Sequence, residues 1–205
     1  MKAITKTVAI YGIYFLIWLT ATNSFQTTLA KIFEEKGDRK ISPFNFLVNY
    51  IFYMIGSLFA PRFAYSYRRT LSLVSIVSTC RFALGFFMFS ENDIIKYVSS
   101  GLGAAILGLA QSVLWVCAGK YIHDACHKFG KVEEKGHYYG LFNSIYNFNS
   151  LIAGFVATFG LELLSDQNYF FLVSAVSLLS LFFVLAFVKD INNDSRNNCS
   201  QMSLK

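Results

Sequence analysis

SSGLGAAILGLAQSVLWVCAGKYI, residues Ser99 to Ile122, decides the fold, because it is apolar for long enough to cross a bilayer. Its many glycines would weaken a helix in water. In lipid, small side chains instead let two helix backbones approach closely. Gly101 with Ala105, and Ala104 with Gly108, form two pairs of small residues at four-residue spacing. We therefore predict a central, buried helix of a membrane bundle, in which these four residues form a helix-packing or partner interface.

The composition of the whole chain also points to a membrane protein. Only 15% of its 205 residues are charged and the mean hydropathy is +0.45, whereas about 25% of the residues of a soluble domain are charged. The net charge of +6 could suggest a nucleic-acid partner. The basic residues flank apolar stretches, however, and no basic face or base-stacking platform is visible. We expect membrane lipids, and no nucleic acid, as partners.

Working outward from the opening stretch, six apolar segments are each close to the ~20 residues that cross the hydrocarbon core. They cover residues 8–29, 42–60, 71–89, 94–118, 138–161 and 169–188. We predict an all-α polytopic bundle of six transmembrane helices over residues 1–190. A polar tail, rich in Asn and Ser, follows over residues 191–205.

The distribution of basic residues predicts the topology. The N-terminus, the second and fourth connections and the tail carry twelve of the 18 lysines and arginines, and the opposite connections carry five. The positive-inside rule then places both termini on the cytoplasmic or matrix side. This topology is compatible with an endomembrane or the plasma membrane, and alternatively with the mitochondrial inner membrane. The four cysteines form no paired framework, so we expect free thiols.

Two polar residues of the apolar segments are the first candidates for function. Arg81 lies in the middle of the third segment, where a cation costs about 2.5–3.5 kcal/mol on insertion scales. None of the six segments contains an acidic residue to pair with it. Arg81 would contact either an anion or a partner subunit, or it would be a structural arginine hydrogen-bonded inside the bundle. Gln111 is predicted to face a neighbouring helix, since lipid cannot satisfy its amide.

Asparagines in the segments form a second set of candidates. Asn23 shares a helix face with Gln26, Asn49 with Asn45, and Asn143 with Asn147, because each pair is three or four residues apart. Amides in lipid must find hydrogen-bonding partners. They would therefore either bond between helices or line the path of a solute, and the sequence is compatible with both.

Three further features lie at the ends of the segments. Arg68 and Arg69 would contact lipid headgroups, or act as ordinary positive-inside anchors. His123, Cys126 and His127 have a spacing that zinc could use, or they belong to an exposed, solvated helix end. We favour the helix end and expect no metal or cofactor. The sequence contains no nucleophile–base pair, paired carboxylates or phosphate-binding glycine loop, so we assign no catalytic residue and predict that the protein is not an enzyme.

Four stretches, taken in order, carry a resemblance to a known family. They are NSFQTTL (residues 23–29), GSLFAP (56–61), GLAQSVLWVCAGKYI (108–122) and YGLFNSIYNFNSLIAGFVATF (139–159). Together they resemble the UNC-ninety-three family, a branch of the major facilitator superfamily, over residues 5–190. The element from Leu114 and Trp115 to Tyr121 is the most specific part. The resemblance implies half of a major facilitator fold, the N-terminal six helices, although residues 61–70 lack the acidic signature usual in the superfamily.

The resemblance also implies a function. Members of this family regulate ion channels or escort receptors, so we expect a non-catalytic accessory or scaffold protein. It would bind and stabilise or regulate other membrane protein subunits in a hetero-oligomeric channel, receptor or energy-transducing complex. The alternative is a half-size solute transporter that acts as a homodimer, with Arg81, Gln111 and the asparagines lining its path.

Overall fold

The protein is all-α, as predicted. The computed structural model describes residues 3–63 and 66–191, which contain six α-helices and no strand. The helices are α1 (Ala3–Glu35), α2 (Ile41–Phe59), α3 (Tyr67–Leu84), α4 (Asp93–Lys128), α5 (Lys135–Leu163) and α6 (Asp166–Phe187). Short 3₁₀ turns continue α2 through Ala60–Phe63 and α3 through Gly85–Phe89. The predicted tail, from residue 192 onward, lies outside the described residues.

The helices are those of an integral membrane protein. Five of them, all except α5, are long and apolar enough to cross a membrane. Helix α5 has 29 residues, roughly 43 Å at 1.5 Å per residue, so its length suffices. Asn143, Asn147 and Asn149 interrupt its apolar part, and the most apolar stretch of α5 is therefore less hydrophobic than those of the other five helices. The prediction of six helices is therefore confirmed, whereas composition alone identifies five spans.

Local sequence signals explain several helix ends. Asn92 caps α4, since its Oδ1 accepts a hydrogen bond from the Ile94 N–H at 2.9 Å. Ser165 caps α6 through the Asn168 N–H at 3.4 Å. Gly37 and Gly130 follow α1 and α4 with φ of 79° and 63°, a left-handed conformation that suits glycine and ends a helix.

The helix packing has an internal two-fold pattern. Helix α1 packs along α5 and α6, α4 packs along α2 and α3, and α3 packs along α6. If α1 is exchanged with α4, α2 with α5 and α3 with α6, the same set of packed pairs results. The bundle is thus built from two three-helix units, the three-plus-three arrangement of a major facilitator half.

Polar contacts define the two ends of the bundle. At one end, Lys36 pairs with Asp166 at 2.8 Å and Lys96 with Asp38 at 2.6 Å, which joins the α1–α2 connection to the first turns of α6 and α4. At the other end, Asp190 accepts hydrogen bonds from Ser66 Oγ at 3.0 Å and from the Arg68 N–H at 2.9 Å. Successive helices therefore alternate in direction. The start of α1 and the end of α6 lie at the same end of the bundle.

We expect the Asp38 to Asn substitution to lower the free energy of unfolding by about 1 kcal/mol. The two oxygens of Asp38 accept hydrogen bonds from Lys96 Nζ and from Tyr97 OH at 3.3 Å, and the Lys96–Asp38 pair is only about a fifth exposed. Thermal unfolding of the purified protein in detergent measures the change. Glu34→Gln is the matched control, since its pair with Arg39 is mostly exposed. Equal destabilisation by both variants would contradict the prediction.

Candidate functional site

An open groove with a volume of about 480 Å³ lies between α1, α2, α4 and α5. We call it the amide groove, because each of the four helices contributes at least one carboxamide to it. The carboxamides are Asn23, Gln26, Asn49, Gln111, Asn147 and Asn149. The remaining lining residues are Leu19, Tyr50, Tyr53, Trp115, Tyr146 and Ser150. None of the twelve is charged, so the groove is polar but electrically neutral.

Helix geometry brings these side chains together. Residues three or four apart share a helix face, as do Asn23 and Gln26 on α1, Asn49 and Tyr53 on α2, and Gln111 and Trp115 on α4. Helices α1 and α5 pack closely, as do α2 and α4, while the two pairs touch each other much less. The groove is the space that this looser packing leaves between the pairs.

One wall of the amide groove contains an asparagine pair between helices. Asn23 Nδ2 on α1 donates a hydrogen bond to Asn149 Oδ1 on α5, and Asn149 Nδ2 donates to the Tyr146 carbonyl at 2.5 Å. Across the groove, Asn49 is 2% exposed, and its Oδ1 accepts no hydrogen bond from the described residues. Both alternatives for the amides therefore have support, since some bond between helices and others face the groove.

Asn149 is a site residue that the sequence analysis missed, whereas Asn143 lies outside the groove. Asn143 and Asn147 are both exposed, and only Asn147 lines the groove. Asn149 is 3% exposed. It belongs to the buried stripe of α5 that also includes Phe142, Ala153 and Ala157. That stripe follows helical spacing and is the sequence signal that could have identified Asn149.

Polar surface continues beyond the amide groove along α1 and α5. A second cavity, also of about 480 Å³, shares Asn23, Gln26 and Ser150 with the groove. Its other lining residues are Thr27, Phe46, Ala153 and Gly154. The two cavities form one polar strip along this face of the bundle.

Arg81 lies outside the amide groove, so its predicted place in a solute path is not found. It is 2% exposed, and its Nη1 and Nη2 atoms have no hydrogen-bond partner among the described residues. The guanidinium lies 3.9 Å from the centre of the Phe25 ring and 5.2 Å from that of Phe82. These aromatic rings stabilise the cation. An arginine this deeply buried offers no surface to a partner subunit.

The small-residue face of α4 packs within the chain. A Cβ at Gly108 would lie 2.3 Å from the Asn49 carbonyl oxygen of α2, which is the close backbone approach expected of such residues. Gly101 lies against the Phe44 ring of α2. Ala104 is fully buried and Ala105 half-buried. Of the two alternatives, a helix-packing or a partner interface, the contacts at Gly101 and Gly108 are therefore helix packing, with α2 of the same chain.

The two arginines at the start of α3 differ in their surroundings. Arg68 Nη2 donates a hydrogen bond to the Leu185 carbonyl at 2.5 Å and its N–H bonds to Asp190, so it ties α3 to the end of α6. The Arg69 side chain is exposed beside it, and both line a cavity with Ser72 and Ile76. Contact with lipid headgroups stays a prediction for both, and Arg69 is the freer of the two to make it.

The histidine-containing segment is helical up to Lys128. His123 and His127 have ring centres 4.4 Å apart, and Lys135 Nζ lies 2.6 Å from His123 Nδ1. The expectation of an exposed segment is wrong for Cys126, which is fully buried, because it lies one turn after Ile122 on the core face of α4. In residues 3–63 and 66–191, no three His, Cys, Asp or Glu side chains cluster closely enough to hold a metal. Cys80, Cys117 and Cys126 are free thiols.

A comparison with protein families gives one match. The family model described as Major Facilitator Superfamily matches residues 8–200, nearly the whole chain. No curated protein and no solved structure gives a significant match.

Proposed function

The chain belongs to the major facilitator superfamily, and from this premise we propose that the amide groove is one wall of a solute pathway. A second six-helix bundle supplies the other wall. This makes the protein a transporter of polar solutes. The excess of basic residues supports placing the end of the bundle that carries Ala3 and Ile191 on the cytoplasmic or matrix side.

The convergence of six carboxamides on one open groove carries this proposal. Asn49, Gln111 and Asn147 lie near the middle of their helices, so the groove is at mid-membrane depth. Polar groups there are costly unless they are satisfied, and the exposed amides therefore require water, a solute or a polar protein surface opposite. In this superfamily, solutes bind near the bilayer midplane at the interface between repeats.

The groove can bind a solute by hydrogen bonding alone. Carboxamides donate and accept hydrogen bonds, while Trp115 and Tyr146 offer apolar ring surface beside them. Transport then requires the two bundles to rock around the bound solute so that the site opens to each side in turn. The internal two-fold pattern of the helix pairs supports such alternation.

We expect the Asn147 to Leu substitution to lower solute flux at least about tenfold, since a buried hydrogen-bonding group of the solute would lose its partner. The full chain is reconstituted in liposomes and tested with labelled sugars, polyols, amino acids, organic anions and organic cations. Asn143→Leu is the matched control, one helical turn away on the same helix and outside the groove. Equal loss of flux in both variants would contradict the assignment of the groove.

A second candidate function is the accessory or scaffold role of an UNC-ninety-three-like protein. Trp115, in the most specific part of that resemblance, lines the groove, and no carboxylate lines it that could couple transport to protons. The groove would then be covered by a polar surface of another membrane subunit. Absence of flux for every solute tested would favour this role, if the 23.2 kDa chain also purifies in a hetero-oligomer of fixed composition that Asn147→Leu dissociates.

A further inference from the structure

We infer that the solute of the amide groove is an uncharged, compact ring that carries several hydroxyl groups, such as a monosaccharide or a cyclic polyol. This inference rests on the proposed function and deepens it, because it names the chemical class of the solute. It depends on three properties of the lining: its charge, its free hydrogen-bonding groups and its aromatic surface.

The lining favours an uncharged solute. None of the twelve residues of the groove is charged, and the buried cation of the bundle, Arg81, lies outside it between Phe25 and Phe82. A charged solute would lose its hydration at mid-membrane depth without gaining an opposite charge from this wall, which is costly. An uncharged polar solute loses only the water molecules bound to its hydrogen-bonding groups. Carboxamides can replace the hydrogen bonds of those water molecules.

The free carboxamides match hydroxyl groups. Gln26, Gln111 and Asn147 form no hydrogen bond with the described protein, and Asn49 adds a buried Oδ1 that accepts none. Each carboxamide presents donors and an acceptor on one rigid plane, and each hydroxyl group likewise donates once and accepts twice. These four side chains come from four different helices, α1, α2, α4 and α5, so they contact a solute from several directions along this wall. A molecule with hydroxyl groups on several sides satisfies them.

Aromatic side chains complete the match to a ring. Trp115 and Tyr146 lie edge to face with their ring centres 5.4 Å apart, on one side of the groove. The negative face of an aromatic ring attracts the slightly positive C–H groups of a saturated ring. The volume of about 480 Å³ falls within the ~300–1,000 Å³ typical of small-molecule sites.

Binding is tested with four probes of similar size on the purified full chain in detergent. D-glucose and myo-inositol are uncharged rings, while glucuronate is an anionic ring and protonated glucosamine a cationic ring. The chain has two tryptophans: Trp18 is 1% exposed in the core, and Trp115 lines the groove, so a change in fluorescence on binding reports on Trp115. We expect a saturable change with at least one uncharged probe and about tenfold weaker binding of both charged probes.

Two variants assign the binding to the groove. Asn147→Leu should weaken binding of the uncharged probe about tenfold, and Asn143→Leu should leave it unchanged. Equal or tighter binding of a charged probe, or equal losses in the two variants, would overturn the inference.

Flux measurements separate a failure of the inference from a failure of the proposed function. Transport of a charged solute, sensitive to Asn147→Leu and without response to uncharged rings, overturns the solute class and leaves the transporter standing. Specific binding of an uncharged ring without any flux supports the solute class and overturns transport. If no probe binds and no probe is transported, both the solute class and the proposed function are overturned.

Discussion

Replacing Gly108 with leucine is expected to destroy the packing of α4 on α2 and to lower the free energy of unfolding by more than about 3 kcal/mol. A Cβ at this position would lie 2.3 Å from the Asn49 carbonyl oxygen and 2.8 Å from the Tyr53 nitrogen. Both atoms belong to the backbone of α2, so no side-chain rotation relieves the clash and the helices must separate. Thermal unfolding and size-exclusion chromatography in detergent measure the loss.

Gly140→Leu is the matched control for this variant. Gly140 is also inside a helix, but no atom lies within 4 Å of a Cβ built on it. We expect this variant to elute and unfold like the unmodified protein. A Gly108→Leu protein as stable as the control would show that α2 does not lie so close to α4. The amide groove would then lose its α2 wall, because Asn49 and Tyr53 face it from this contact.

The Arg81 to Glu substitution is expected to destabilise the bundle by about 3–5 kcal/mol, the cost of an uncompensated buried charge. The carboxylate would lie near the negative face of the Phe25 ring, where the guanidinium now lies at 3.9 Å. Arg81 forms no ion pair in the described part of the chain, so a reversed charge gains nothing. The midpoint of thermal unfolding measures the effect.

Arg81→Met provides the comparison, since methionine removes the charge and keeps a long, flexible side chain. Replacing a buried charge with an apolar group is often neutral or stabilising, so we expect Arg81→Met to unfold close to the unmodified protein. Solute flux should also survive, because Arg81 lies outside the amide groove. If the Met variant proved as unstable as the Glu variant, the guanidinium itself, rather than the sign of its charge, would be needed by the fold.

The fold could be predicted largely from local sequence properties. Six largely apolar stretches of suitable length correspond to six helices, and the small residues of α4 correctly indicated a close helix contact. Which helix makes that contact is not a local property. Gly108 meets α2 because the whole bundle places α2 there, and the sequence alone left a partner equally open. The superfamily follows from the match to residues 8–200, whereas the UNC-ninety-three branch stays a prediction.

The candidate site was predictable in part. Asn23, Asn49, Gln111 and Asn147 were identified as polar residues in apolar segments, and they do line one groove. Asn149 was missed because successive residues of a helix are about 100° apart. A shift of two positions therefore changes the burial of a side chain, since Asn147 is exposed at the groove and Asn149 is buried at its wall. To predict how α5 is rotated about its axis, one must know which of its residues are buried. That depends on how α5 packs against α1.

The two-fold packing pattern also has a consequence for biogenesis. Helix α1 is synthesised before the other five helices described here, yet its main neighbours, α5 and α6, are synthesised after the rest of these. Asn149, the hydrogen-bond partner of Asn23, is synthesised 126 residues after it. Helices α2, α3 and α4 can assemble as soon as they are inserted, because their contacts are close in the chain. The nascent protein therefore holds α1 in the membrane with Asn23 unpaired until α5 enters. This interval is when insertion factors and quality control would recognise an unfinished bundle.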